Sequence, residues 1–151
     1  MGVLDNKVAV VTGVGSGIGK AISLAFAKEG ASLGVGDIDV NLLSKTTEEI
    51  KKNTESVNSL KTDVSSEEEV KKLIDETVNK YGKLDIIVNN VSVAIGGYPI
   101  TDMSNEEWQK IIAINFSSVF YGCKHSIPFL KKNNGGSIIN IASVQAHTPL
   151  P

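Results

Sequence analysis

Short apolar runs and longer stretches of helical period take strict turns along this chain. Residues 8–11 are continuously apolar and are closed by Thr12-Gly13. Ile18, Ile22, Ala25 and Phe26 follow at i, i+4, i+7 and i+8, one helix stripe, and Gly30 predicts its stop. Ser32–Asp37 reads as a second strand, weakened by Gly34 and Gly36, and Asp39 can cap a helix through Leu42, Leu43 and Ile50. Val57–Lys61 is a marginal third strand. Ser65 and Ser66 open a helix with Val70, Leu73, Ile74, Thr77, Val78 and Tyr81 on one face. Residues 85–89, centred on Ile86, Ile87 and Val88, predict a fourth strand. Ser104 and Glu107 form a capping-box pattern. The long helix behind it has a predicted inner stripe of Trp108, Ile111, Ile112, Asn115, Phe116, Val119 and Cys123, and Pro128 marks a disturbed end. Gly135-Gly136 then turns the chain into a fifth strand at 137–142.

Five strands alternating with four helices mean βαβ units. Right-handed crossovers between them give a parallel sheet with helices on both faces. The length, 151 residues, suits one domain spanning 1–151. Hydrophobic residues make up 41% and charged residues 21%, a globular composition. With only 5% aromatics, the core must be built from Val, Ile, Leu and Ala.

The formal net charge of −2 lacks the basic excess that gripping a nucleic acid requires. The pairs Lys51-Lys52, Lys71-Lys72 and Lys131-Lys132 read as solvated surface. Cys123 is the one cysteine, so no internal disulfide can form, and His125 and His147 lack neighbours at ligand spacing, so no metal site is expected. No apolar run approaches the ~20 residues of a membrane span, and the N-terminus lacks the pattern of a signal peptide. Asn6 stands where a myristoylation pattern needs Ser or Thr. A cytoplasmic protein without membrane partners is the expectation.

The chemistry starts at Thr12-Gly13-Val14-Gly15-Ser16-Gly17-Ile18-Gly19-Lys20, between a predicted strand and a predicted helix. In that slot glycines let the backbone turn tightly and approach a pyrophosphate. The helix starting near Gly17 offers free N–H groups and the positive end of its dipole to the phosphates. Asp37 ends the second strand, 24 residues after Gly13. An acid at about this distance accepts hydrogen bonds from the adenosine ribose hydroxyls of NAD. It would repel the 2′-phosphate of NADP by about 4 kcal/mol at ~4 Å and an effective dielectric near 20. Neither Ile38 nor Ser16 is basic, so NAD is expected over NADP.

The T-G-x-x-x-G-I-G spacing resembles the short-chain dehydrogenase/reductase family, and the resemblance runs from Lys7 to Ala146. It implies a three-layer, doubly wound Rossmann-type α/β fold with strand order 3-2-1-4-5. Gly13, Ser16, Gly17, Ile18 and Gly19 would hold the cofactor with Asp37 and Ile38. Asp63-Val64 resembles the family's adenine-binding pair. Asn89-Asn90-Val91-Ser92 resembles its Asn-Asn-Ala-Gly segment, departing at the last two positions, and Asn90 would face the cofactor. Asn115, read as an amide on a buried stripe, needs hydrogen-bond partners; in the family the asparagine of this segment holds a water of the proton relay. Ser143 follows Ile138-Ile139-Asn140-Ile141-Ala142 and matches the serine that orients the substrate carbonyl. Asn115 and Ser143 are therefore the candidate catalytic residues.

The family's Tyr-x-x-x-Lys pair occurs nowhere in these 151 residues, of which only eight follow Ser143. A fifth strand apolar on both faces also predicts an interior strand with neighbours beyond it. Both features predict that this chain is the N-terminal portion of a longer NAD-dependent oxidoreductase, one that transfers a hydride between NAD(H) and a secondary alcohol or ketone. A non-catalytic dinucleotide-binding fragment or pseudoenzyme is the alternative. A flavodoxin-like protein conflicts with the glycine spacing. The resemblance further implies a small-molecule substrate, with residues 93–99 and 145–150 flanking its pocket, and a homo-oligomer. Ile114, Phe120 and Ile127 are the apolar residues available to an interface on the long helix.

Overall fold

The computed structural model describes residues 2–143. Five parallel strands form one sheet: β1 (Val8–Thr12), β2 (Ser32–Asp37), β3 (Val57–Lys61), β4 (Ile86–Asn89) and β5 (Ser137–Asn140), in the order β3-β2-β1-β4-β5. Helices α1 (Gly17–Lys28), α2 (Val40–Lys51) and α3 (Glu67–Tyr81) connect the first four strands. A longer helical stretch leads into β5. It consists of α4 (Asn105–Ile111), a π-helical turn (Ile112–Ser117) and α5 (Ser118–Lys132). The order and direction are those expected from the alternation of runs.

The sheet is covered on both faces. Ala9 and Val11 of β1 point into a cluster with Ala27, Leu33, Val35, Leu43 and Ile50, under α1 and α2. Val10 points the other way, into a cluster with Val70, Leu73, Ile74, Ile87 and Leu130, under α3 and α5. Two buried faces explain why every position of β1 is buried and why Val8 to Val11 run apolar without alternation. The glycines that weaken β2 have a packing reason. Leu33 and Val35 face the first cluster, while a Cβ on Gly34 would run into Thr77 Oγ1 of α3. The helix lies directly on the strand's backbone.

Caps set the helix starts. Asp39 accepts hydrogen bonds from the amides of Asn41 and Leu42 at 2.9 and 3.0 Å. Ser66 accepts from Glu69, and the Ser104–Glu107 capping box is closed in both directions. Gly30, at φ +90°, ends α1 as expected.

Two helix faces differ from the periodicity argument. In α1 the innermost line is Gly19, Ser23 and Ala27; of the expected stripe, Ile22 and Phe26 pack against the first cluster, while Ile18 is 59% exposed and Ala25 is exposed. In the long helix the face turned to the sheet is Ser118, Gly122, Ser126 and Leu130, while Phe116 is 72% exposed and Trp108 also faces out. Small residues lie innermost because they let a helix axis approach the sheet, and hydrophobicity does not mark them. The π-helical turn also breaks the 3.6-residue phase, so a stripe projected from Trp108 misses the buried face of α5. Ile114 accordingly packs inward against the second cluster, whereas Phe120 and Ile127 are exposed. Pro128 lies inside α5, which continues to Lys132.

Candidate functional site

The residues singled out by sequence all follow the carboxyl ends of strands or reach them from the long helix. β1 ends in Thr12, whose buried hydroxyl donates to the Val88 carbonyl at 3.3 Å and accepts from the Asn90 amide at 3.2 Å. The chain then turns through Gly13 at φ +70°, and the amides of Gly13 and Val14 both donate to the Gly36 carbonyl. Gly19 packs back onto this turn. A Cβ there would collide with the Gly13 carbonyl oxygen and stand 2.5 Å from Asn90 Nδ2. Asn90 donates that Nδ2 to the carbonyls of Thr12 and Gly13, at 3.0 and 3.2 Å. Its side chain thus ties the end of β4 to the glycine turn, across the point where strand order reverses and where open α/β sheets bind ligands.

The start of α1 is left open. Ser16 stands at its N-cap position without a side-chain cap, and no acid lies in its first turn, whereas α2, α3 and α4 each begin on a capping side chain. Among the described residues the amides of Gly17, Ile18 and Gly19 have no backbone partner. Such an end is a ready acceptor for an anion.

Asp37 and Asp63 follow in the same row, at the ends of β2 and β3. Asp37 Oδ2 accepts from the Gly15 amide at 2.7 Å and Oδ1 from the Asp39 amide at 2.9 Å. Ile38 beside it is 60% exposed. Asp63 Oδ1 accepts from the amide and hydroxyl of Ser65, at 2.9 and 2.7 Å, and its own amide donates to Glu69. Val64 is buried against the second cluster, so its side chain is committed to packing.

On the other side of the reversal, Asn115 occupies the π-helical turn. It is exposed, not buried as its place on the predicted stripe implied. It still has two partners: its Oδ1 accepts from the Val93 amide and its Nδ2 donates to the Val93 carbonyl, both at 2.8 Å. Val93 opens the 93–99 segment expected beside the substrate, but its tie to Asn115 left no mark in the sequence, because the partner is backbone. Asn89 Nδ2 donates to Asn140 Oδ1 at 2.8 Å, which pins β4 to β5, and a Cβ on Gly122 would collide with Asn89 Oδ1. Ser143 lies three residues past β5. Val91, where the family pattern has Ala, presses its Cγ2 toward Gly13. Residues 145–150, expected beside a substrate, lie outside the described residues, as does His147.

A hydrogen bond to Glu107 raises the Tyr98 phenol above its ordinary range, and burial pushes the Cys123 thiol up. Neither is poised as an acid or base near neutrality. Among the described residues no helix is long and apolar enough to cross a membrane.

Comparison with known proteins identifies relatives of the whole chain. A family model described as short chain dehydrogenase matches residues 7–151. The chain is 35% identical over 143 residues to 3beta-hydroxysteroid dehydrogenase 2 of Eggerthella lenta, covering 94% of this chain and 55% of that protein. It is 38% identical to glucose 1-dehydrogenase 2 of Bacillus subtilis, covering 98% and 58%. Among solved structures, a short chain dehydrogenase/reductase from Burkholderia phymatum in complex with NAD superposes with a TM-score of 0.93 at 32% identity, covering all of this chain and 54% of that one. The chain therefore spans little more than half the length of these relatives.

Proposed function

The chain belongs to the short-chain dehydrogenase/reductase family, and from that premise we propose that it forms the NAD-binding part of an oxidoreductase acting on a secondary alcohol or ketone. The observation that carries this is the uncapped start of α1 beside Asp37. Free amides and a helix dipole await an anion, and a carboxylate stands one strand away with the exposed, uncharged Ile38 next to it.

The roles divide along the sheet edge. Gly13 and Gly19 keep the turn free of side chains, and the amides from Ser16 to Gly19 receive the pyrophosphate. Asp37 accepts the adenosine ribose hydroxyls and rejects a 2′-phosphate by charge. Ile38 and the Asp63-Val64 backbone flank the adenine. Asn90 holds the turn in shape beneath the cofactor. When bound, the nicotinamide supplies hydride-transfer chemistry. Ser143 donates a hydrogen bond to the substrate oxygen, and Asn115 holds the chain at Val93 and orders a water for proton passage. A Tyr-x-x-x-Lys pair in the remainder of the protein would exchange the proton itself, since an unaided tyrosine has a pKa near 10.

The test uses the full-length protein. Titration with NADH and NADPH is expected to saturate with NADH at least tenfold more tightly, the order a carboxylate at position 37 imposes. A panel of secondary alcohols is then expected to reduce NAD. Preference for NADPH, or absence of saturation by either, overturns the cofactor assignment. Tight NADH binding without turnover of any alcohol or ketone leaves a binding module and overturns the catalytic half.

A further inference from the structure

We infer that Asp37 is also a positioning residue for the phosphate loop: through the amide of Gly15 it holds the apex of that loop in place, separately from any contact with a ribose. This role rests on the nucleotide site proposed above.

The hydrogen bond from Gly15 N to Asp37 Oδ2, at 2.7 Å, is short and charge-assisted. The other oxygen accepts from Asp39 N, and Asp39 in turn caps α2 through Asn41 and Leu42. One carboxylate thus bridges the loop after β1 to the N-cap residue of α2. The packing leaves no slack. Gly15 is buried, and a Cβ on it would stand 2.9 Å from both Asp37 Oδ2 and Leu42 Cβ. The loop's entrance is held by Gly36, through the amides of Gly13 and Val14. Beyond Val14, among the described residues, neither Ser16 nor Gly17 donates a hydrogen bond to another element, so Gly15 is where the apex is fastened.

This explains a demand for Asp rather than Asn. Two N–H donors approach the two oxygens, and only a carboxylate accepts on both; an Asn amide would turn its NH₂ toward one of them. Each carboxylate oxygen keeps a further lone pair for a sugar hydroxyl, so the structural and recognition roles coexist. Replacing Asp37 should therefore weaken the grip on the pyrophosphate even where the ligand has no hydroxyls for it to read.

The test is a cycle on the full-length protein. NADH and its analogue with a 2′,3′-dideoxy adenosine ribose are titrated into wild type, Asp37→Ala and Asp37→Asn. The analogue is expected to bind Asp37→Ala about tenfold more weakly than wild type, with Asp37→Asn between, since it retains one of the two bonds. Equal affinity of the analogue for all three, with NADH still weakened, would show that Asp37 acts through the hydroxyls alone and overturns the role. A ligand-free measurement decides independently of affinity. Backbone order parameters of residues 15–18 are expected to fall in Asp37→Ala, and unchanged values also overturn the role. Wild type that fails to saturate with NADH removes the nucleotide site itself, a different result from NADH binding with an indifferent loop.

Discussion

The side-chain amide of Asn115 forms two hydrogen bonds with the backbone of Val93, one accepted and one donated, each at 2.8 Å. The pair links the π-helical turn of the long helix to the segment leaving β4. An amide is the side chain that can satisfy both partners at once, because it carries a donor and an acceptor on one planar group. π-Helical turns recur at functional sites, and here the turn carries the residue that fastens the loop.

Asn115→Asp is expected to cost about 1 kcal/mol of stability. The Val93 amide keeps its acceptor, but the Val93 carbonyl loses its donor and faces a carboxylate. Urea denaturation checks the loss. In the full-length protein, turnover is expected to fall further than stability accounts for.

Asp85 sets an acid limit on stability. Burial pushes its carboxyl up, but the Val8 amide, Lys83 and Asn133 pull it down by more, so it lies below the usual carboxylate value. A depressed folded-state value contributes stability that is complete above the unfolded value, about 3.9, and is lost as pH falls through the folded one. Denaturation midpoints between pH 7 and 2 are expected to show this loss, and Asp85→Asn to flatten it. Asp85→Ala, which strands the buried Val8 amide and takes an acceptor from Asn133, is expected to cost about 1–3 kcal/mol.

Gly34→Ala drives a methyl group into Thr77 and is expected to cost about 1–3 kcal/mol, read as a lowered melting temperature. Adding Thr77→Ala removes the oxygen it meets and should recover part of that loss. Additive losses would mean that β2 is disturbed by something other than this contact.

Cys123 is partly buried, and burial raises its thiol, so less thiolate is present at a given pH. Alkylation of the native protein at pH 8 is expected to run at least about tenfold slower than in denaturant. Equal rates would mean that the α5 face around it opens freely.

Much of this fold is legible along the chain, because some signals are local. The apolar runs are β1 to β5, and Asp39, Ser66 and Ser104 are the caps they promised to be. The alternation of strand and helix leaves the parallel sheet as the economical arrangement, and the glycine spacing placed a bare turn at the end of β1. Which helix residues face the sheet emerges from packing alone. Closeness of approach, not hydrophobicity, puts Gly19, Ser23, Gly122 and Ser126 innermost, and a single π-helical turn resets the phase between Trp108 and Leu130. The same holds for the partners of the candidate site. Gly15 meets Asp37, Asn90 meets Gly13 and Asn115 meets Val93 through main-chain atoms that every residue carries, so their identity becomes visible only when the strands lie side by side.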